Sequence, residues 1–283
     1  MRSIAVINQK GGVGKTTTAV NLSAALAREG QGVLLLDLDP QAHATMHLGI
    51  ELGLDGPSMY DVITHGVPLA ETARRVSERL VLVPAHIDLV SAEIELAGRA
   101  ERETVLARAL RPFQAGFNFC VVDCAPSLGL LTVNALAAVE EVVIPLQPHF
   151  LALQGLGRLL DTVALVRARI NPALRVSGVV LCLYEAGTRL AQEVRDDVVR
   201  FLASADAADP WHGARVLATP IRRNIKLAEC PSFGQTIFDY APHSHGAEDY
   251  LALAREVVGA GAEAVAGGSL APLGLGVEEP AAS

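Results

Sequence analysis

Lys10-Gly11-Gly12-Val13-Gly14-Lys15-Thr16-Thr17 decides how the rest of this chain is read. An apolar run, Ile4-Ala5-Val6-Ile7, leads into it, and a helical pattern over residues 16–28 leads out. Strand, glycine-rich turn and helix in that order form the setting of a phosphate-binding loop. Glycine lets the backbone bend tightly and approach phosphate oxygens closely. The following helix aims its first N–H groups and the positive end of its dipole at the anion. In such a loop Gly11, Gly12, Val13, Gly14 and Thr17 line the phosphates, Lys15 reaches the β- and γ-phosphates, and the Thr16 hydroxyl faces Mg²⁺.

Two further apolar runs end in acids. Val33-Leu34-Leu35-Leu36-Asp37 continues into Leu38-Asp39-Pro40-Gln41, and Phe119-Cys120-Val121-Val122 ends in Asp123. Carboxylates at strand ends beside a phosphate loop can hold Mg²⁺ or its water shell and orient an attacking water. Asp123 suits the metal, through a coordinated water, because Mg²⁺ dehydrates reluctantly. Asp39 suits both tasks, whereas Asp37 also reads as a solvated loop acid.

Strands are expected over residues 3–8, 32–37, 80–84, 117–123, 141–146, 176–183 and 215–218. Helices are expected over 16–28, 91–110, 128–138, 155–170 and 189–203. This alternation predicts an α/β fold: a doubly wound, mostly parallel sheet flanked by helices, with ligands at the carboxyl ends of the strands. Residues 1–258 read as a single domain. From residue 259 the composition turns to Ala, Gly and Pro, with no Lys or Arg after Arg255, which reads as a mobile tail.

Hydrophobic residues make up 51% of the 283 and aromatics 4%, so the core is built from Ala, Val, Leu and Ile. That suits parallel strands buried between helices. A net charge of −8 excludes a nucleic-acid binder that is basic as a whole, and leaves only a local basic patch or charge concentrated by dimerisation. The four cysteines form no C-x-x-C pair, and reduced structural thiols in a cytoplasmic protein are expected. No signal peptide is read at the N-terminus, and no apolar run reaches the roughly 18 residues of a spanning helix.

The loop departs from the generic G-x-x-x-x-G-K-[ST] pattern at one end. Gln9 stands at the first glycine position, and a second lysine, Lys10, follows it. In this deviant form the chain resembles the ParA/MinD family of P-loop ATPases, over about residues 2–258. The resemblance implies ATP and Mg²⁺ as ligands, and it implies that Lys10 crosses a dimer interface to the nucleotide held by the partner subunit. It makes Asp37-Leu38-Asp39-Pro40-Gln41 the first switch, with Asp39 required for hydrolysis, and Cys124 to Asn134 the second switch, with Ala125 where the family usually has proline. The run from Thr219 to Gly234 is similar to the family's late motif, and there Asn224 holds the adenine position. An amide suits that position because it offers donor and acceptor together.

The DNA-binding expectation rests on less. Tyr184-Glu185-Ala186-Gly187-Thr188-Arg189-Leu190 resembles a segment written Y-D-x-R-T, yet has Gly187 where the arginine belongs. At helical spacing Arg189 and Arg200 nearly share a face. Arg222, Arg223 and Lys226 fall within five positions of an otherwise acidic chain. Contacts of this kind go to phosphates, so the expected binding is nonspecific and salt-sensitive. Taken together, the resemblance implies an ATPase that closes a homodimer on ATP, binds nonspecific DNA, and positions or segregates cargo. A ParB-like or cargo-adaptor protein would stimulate its hydrolysis in the cytoplasm, on the nucleoid. The alternative is a MinD-like membrane-surface regulator. That needs a basic amphipathic C-terminal helix, and here the tail lacks basic residues and is broken at Gly267-Gly268 and Pro272. A reductase of the iron–sulfur type would need cysteines at the dimer axis.

Overall fold

Alternate residues of a strand face opposite ways, and here both ways are dry. Ala5, Leu34, Leu36, Cys120 and Val122 belong to one buried cluster, and Ile4, Val6, Val33, Leu35 and Val121 to a second. Continuous apolar runs build such a sheet, covered on both faces. The computed structural model describes residues 1–52 and 56–259. Its strands are β1 (Arg2–Val6), β2 (Val33–Leu38), β3 (Arg74–Arg75), β4 (Leu80–Val83), β5 (Phe119–Cys124), β6 (Glu141–Leu146), β7 (Arg175–Leu181) and β8 (Arg215–Val216). They form one sheet in the order β3-β4-β2-β5-β1-β6-β7-β8. All neighbours are parallel except β3, which runs antiparallel to β4. The chain leaves central β1 toward β2 on one side and later returns to β6 on the other. The carboxyl end of β1 is therefore the crevice where a doubly wound sheet takes its ligand.

The helices are α1 (Lys15–Arg28), α2 (His43–His47), α3 (Met59–His65), α4 (Leu69–Thr72), α5 (Leu89–Leu96), α6 (Val105–Leu110), α7 (Leu130–Ala138), α8 (Ala152–Arg169), α9 (Arg189–Ala203), α10 (Ile225–Glu229), α11 (Ile237–Tyr240) and α12 (His245–Gly259). The single helix expected over 91–110 is in fact two. α5 ends at Leu96, Glu101 takes a left-handed φ of 54°, and a short 3₁₀ turn precedes α6. Asn134, buried on α7, holds the break open: its Nδ2 donates to the Arg102 carbonyl (2.8 Å) and its Oδ1 accepts from the Leu106 amide (3.2 Å). The expected tail lies outside the described residues, apart from Gly259 at the end of α12.

Candidate nucleotide site

Between β1 and α1 the chain turns on Gly12 (φ 73°) and Gly14 (φ 90°), both in the left-handed region that a Cβ disfavours. Asn8 anchors the turn: its Nδ2 donates to the Pro145 carbonyl (2.6 Å) and its Oδ1 accepts from the Lys10 amide (3.0 Å). Lys15 is 7% exposed, and its Nζ donates to the Lys10 carbonyl at 3.1 Å. Burial lowers the Lys15 pKa, while Asp123 and Asp39 act in the opposite sense and favour the charged form. The loop opens on a cavity of about 440 Å³ lined by Gly12, Lys15, Thr16, Asp39, Gln41 and Pro126 among others. Lys10 is exposed, and among the described residues no carboxylate pairs with it.

The three carboxylates at the strand ends differ sharply. Asp37 and Asp123 lie opposite one another in the β2–β5 register. Asp37 is not a solvated loop acid, because it has no exposed surface. Its Oδ2 accepts from the Thr45 amide (2.8 Å) and hydroxyl (2.7 Å), and its Oδ1 accepts from the Asp39 amide (3.2 Å). Burial pushes its pKa up to about 6, against the Thr45 hydrogen bonds. Asp37 thus clamps the switch segment to the sheet.

Asp123 is equally buried, yet neither of its carboxylate oxygens has a hydrogen-bond partner. Burial, then the charge of Asp37, pushes its pKa well up; Thr16 and Lys15 pull it down. An orphaned buried carboxylate is costly, and a hydrated divalent cation would supply both the missing donors and the missing charge. The residues present therefore fit Mg²⁺. Asp39 is 5% exposed on the cavity wall, and its Oδ1 accepts from the Gln41 amide (2.9 Å).

A second cavity of about 190 Å³ shares Gly12, Gly14 and Thr17 with the first and is closed by Cys182, Asn224 and Tyr250. Asn224 caps α10, its Oδ1 accepting from the Lys226 amide at 2.9 Å. Its oxygen is thus already engaged, which leaves Nδ2 as its donor. Beneath, the Thr18 hydroxyl meets Tyr250 OH at 3.1 Å, joining α1 to α12. In the segment Cys124 to Asn134, Glu93 of α5 packs on Gly129 and leaves no space there for an added Cβ. Its Oε1 accepts from the Leu131 amide at 3.3 Å. Sequence reading missed Asn8, Thr45 and Glu93, because each acts on a segment distant in the chain or unmarked by pattern.

The five basic residues expected to meet DNA all carry carboxylate partners. Arg189 pairs with Glu193 (2.7 Å), Arg200 with Asp197, Arg223 with Glu185 (2.8 Å) and Lys226 with Glu229 (2.8 Å). Such solvent-screened surface pairs are weak, so a phosphate can displace them. Arg222 is different. It grips Asp249 at 2.6–3.1 Å through two nitrogens, its own amide donates to the same carboxylate, and Asp249 is only 6% exposed. Releasing Arg222 would strand a buried charge. The surface cluster expected at 222–226 therefore reduces to Arg223 and Lys226, and Arg222 ties the segment to α12.

All four thiols are free and buried. Burial pushes Cys120 and Cys182 up to about 12, so they are inert at neutral pH. His47, on α2, is buried as well, and burial pulls its pKa down from 6.5 to about 4. A basic group depressed in this way contributes stability above its unfolded pKa and loses it as pH falls through 6.5 toward 4. Urea unfolding at pH 7.5 and pH 5 is expected to show a loss of about 2 kcal/mol from this residue. His47→Gln should remove that component; an identical pH dependence in the variant would place its origin elsewhere.

Together the glycine loop, Lys15, the strand-end carboxylates and the sheet order define a P-loop nucleotide-binding protein. Comparison with known proteins agrees. A family model described as an AAA domain matches residues 1–176. The sporulation initiation inhibitor protein Soj of Bacillus subtilis is 44% identical over 259 residues, 91% of this chain and 98% of that one. The chromosome-partitioning ATPase Soj of Thermus thermophilus is 45% identical over 258 residues, covering 91% and 96%. Among solved structures, cobyrinic acid a,c-diamide synthase of Mycobacterium smegmatis with bound ADP and magnesium superposes with a TM-score of 0.78 at 36% identity, covering 93% and 96%. The chain belongs to the Soj/ParA family of chromosome-partitioning ATPases.

Proposed function

We propose that this chain hydrolyses ATP with Mg²⁺ and uses the cycle to switch a homodimer on and off nonspecific DNA, positioning or segregating cargo. The observation that carries the reading is a division of labour between two lysines. Lys15 is buried and lines the cavity, while Lys10, at the start of the loop, is exposed and has no ion pair among the described residues. One ammonium serves the protomer's own phosphates, and the other is free to reach a neighbour's. The loop amides and Lys15 hold the phosphates, and Nδ2 of Asn224 donates to the base. Thr16 and Asp123, with Asp39 beside them, hold the cation, which when bound neutralises phosphate charge. Asp39 orients the attacking water. Arg189, Arg200, Arg223 and Lys226 exchange their surface carboxylates for DNA phosphates. A ParB-like or adaptor partner stimulates turnover.

DNA retention by wild type and Arg223→Ala, each with ATP and with ADP over a range of salt, tests the reading. Binding is expected with ATP only. Arg223→Ala should weaken it alike on all sequences and lower the salt slope by about 1. Equal retention with ADP, or an unaffected Arg223→Ala, would contradict it. Flotation with anionic liposomes discriminates the MinD-like alternative: ATP-dependent recovery with lipid supports that one instead. Among the described residues no helix is long and apolar enough to cross a membrane.

A further inference from the structure

Two segments that contribute to the lining of the nucleotide cavity meet backbone to backbone. One is the end of α2, four to ten residues past Asp39, where Met46 and His47 line the cavity and Gly49 closes the helix at φ 66°. The other is the 3₁₀ turn Cys230–Phe233, following α10, where Pro231 lines the same cavity and Gly234 ends the turn at φ 62°. A Cβ at Gly234 would stand 2.9 Å from Gly49 Cα, and one at Gly49 would stand 3.2 Å from the Gly234 carbonyl oxygen. A methyl group at 234 would force a shift, one at 49 would be tight, and both glycines hold a left-handed φ that a side chain disfavours. Beside this contact His47 Nε2 faces Cys230 Sγ at 3.5 Å, both side chains being buried.

Each segment is fixed at its far end to a different part of the nucleotide site. The α2 segment hangs on Asp37, which accepts from Thr45 and from the Asp39 amide. The Thr45 hydroxyl in turn accepts from the Ala85 amide (3.0 Å), so α2 is tied to two strand ends. The turn at Cys230–Phe233 follows directly from α10, whose cap is Asn224 in the second cavity. Base-side and γ-phosphate-side elements are thus linked through one contact that has no slack, because close-packed interiors transmit displacement rather than absorb it.

We infer that the Gly49–Gly234 contact, with His47 and Cys230 beside it, couples occupancy of the base pocket at Asn224 to the placement of Asp39. This rests on the ATPase reading above and assigns positioning roles to four residues that touch none of the reacting atoms. Adenine drawn onto Asn224 fixes α10 and the turn after it. The turn fixes the end of α2, and α2 fixes the segment carrying Asp39. Nucleotide without a correctly seated base would bind through its phosphates yet leave Asp39 misplaced, so the contact filters turnover rather than affinity.

The test uses the full chain and compares wild type, Asn224→Ala, Gly234→Ala and the double variant. Two quantities are read: kcat stimulated by DNA and partner, and affinity for a non-hydrolysable ATP analogue. A methyl at 234 must push the two segments apart, and because misplacement on the ångström scale costs up to about 100-fold, a loss of about 10- to 100-fold in kcat is expected. In Gly234→Ala, which leaves Asn224 in place, analogue affinity should stay within about threefold, the signature of a change felt after binding. The double variant should fall no further in kcat than the worse single variant, because both cut one line of coupling. Additive losses overturn the inference, as does wild-type kcat in Gly234→Ala. Cys230→Ala, which leaves both left-handed glycines in place, should give a smaller loss of the same kind and keeps the test decisive if Gly234→Ala does not fold. A wild type that turns over no ATP overturns the ATPase reading and this inference with it. An active wild type, with Gly234→Ala and Cys230→Ala both unaltered, overturns the inference alone.

Discussion

Replacing Lys10 with alanine is expected to lower stimulated ATP hydrolysis by about 10³-fold or more, the scale on which a cation supplied in trans stabilises charge developing at phosphoryl transfer. Folding should be almost untouched. The Lys10 side chain is exposed and has no carboxylate partner among the described residues, while its amide and carbonyl, which bond Asn8 and Lys15, survive the substitution. Surface changes of this kind stay within about 0.5 kcal/mol. Nucleotide binding to the protomer should persist, since Lys15 and the loop remain. Phosphate release in the presence of DNA and partner, alongside calorimetric binding of an ATP analogue, separates the two effects. Unchanged stimulated turnover would remove the trans-acting lysine from the mechanism.

The second large effect belongs to Asp39. Asp39→Ala deletes the one carboxylate among the described residues that lines the cavity. Loss of a water-orienting carboxylate lowers turnover by about 10²–10⁴-fold. Binding should survive, because Asp123 and Thr16 remain for the cation. A dimer that closes but cannot hydrolyse should then stay on DNA longer than wild type. Dissociation from immobilised DNA after ATP washout measures this; release at the wild-type rate would count against Asp39 as the hydrolytic residue.

Much of this site is written locally. The run over 141–146 becomes β6 without change, and 189–203 becomes α9, because apolar spacing and a Thr188 cap act within a few residues. The phosphate loop is legible for the same reason: its glycines, lysine and threonines are consecutive. What could not be read depends on pairs far apart in sequence. Asp37 resembles a loop acid until Thr45, eight residues on, is seen to satisfy it. Arg222 resembles part of a basic patch until Asp249 is found beneath it, 27 residues away. The break in the 91–110 helix is set by Asn134, whose amide reaches back into an earlier turn. β3 is two residues long and too short to show any period.

That shortness has a consequence of its own. The sheet ends at β3 on one side and at β8 on the other, each only two residues long and each containing an arginine. Long, flat outer strands invite another chain to zip alongside, and brief charged ones do not. A protein present at high local concentration would otherwise risk runaway stacking through those rims. With the lateral routes blunted, the homodimer proposed above would have to form away from the sheet rims, through the face that carries the nucleotide cavity.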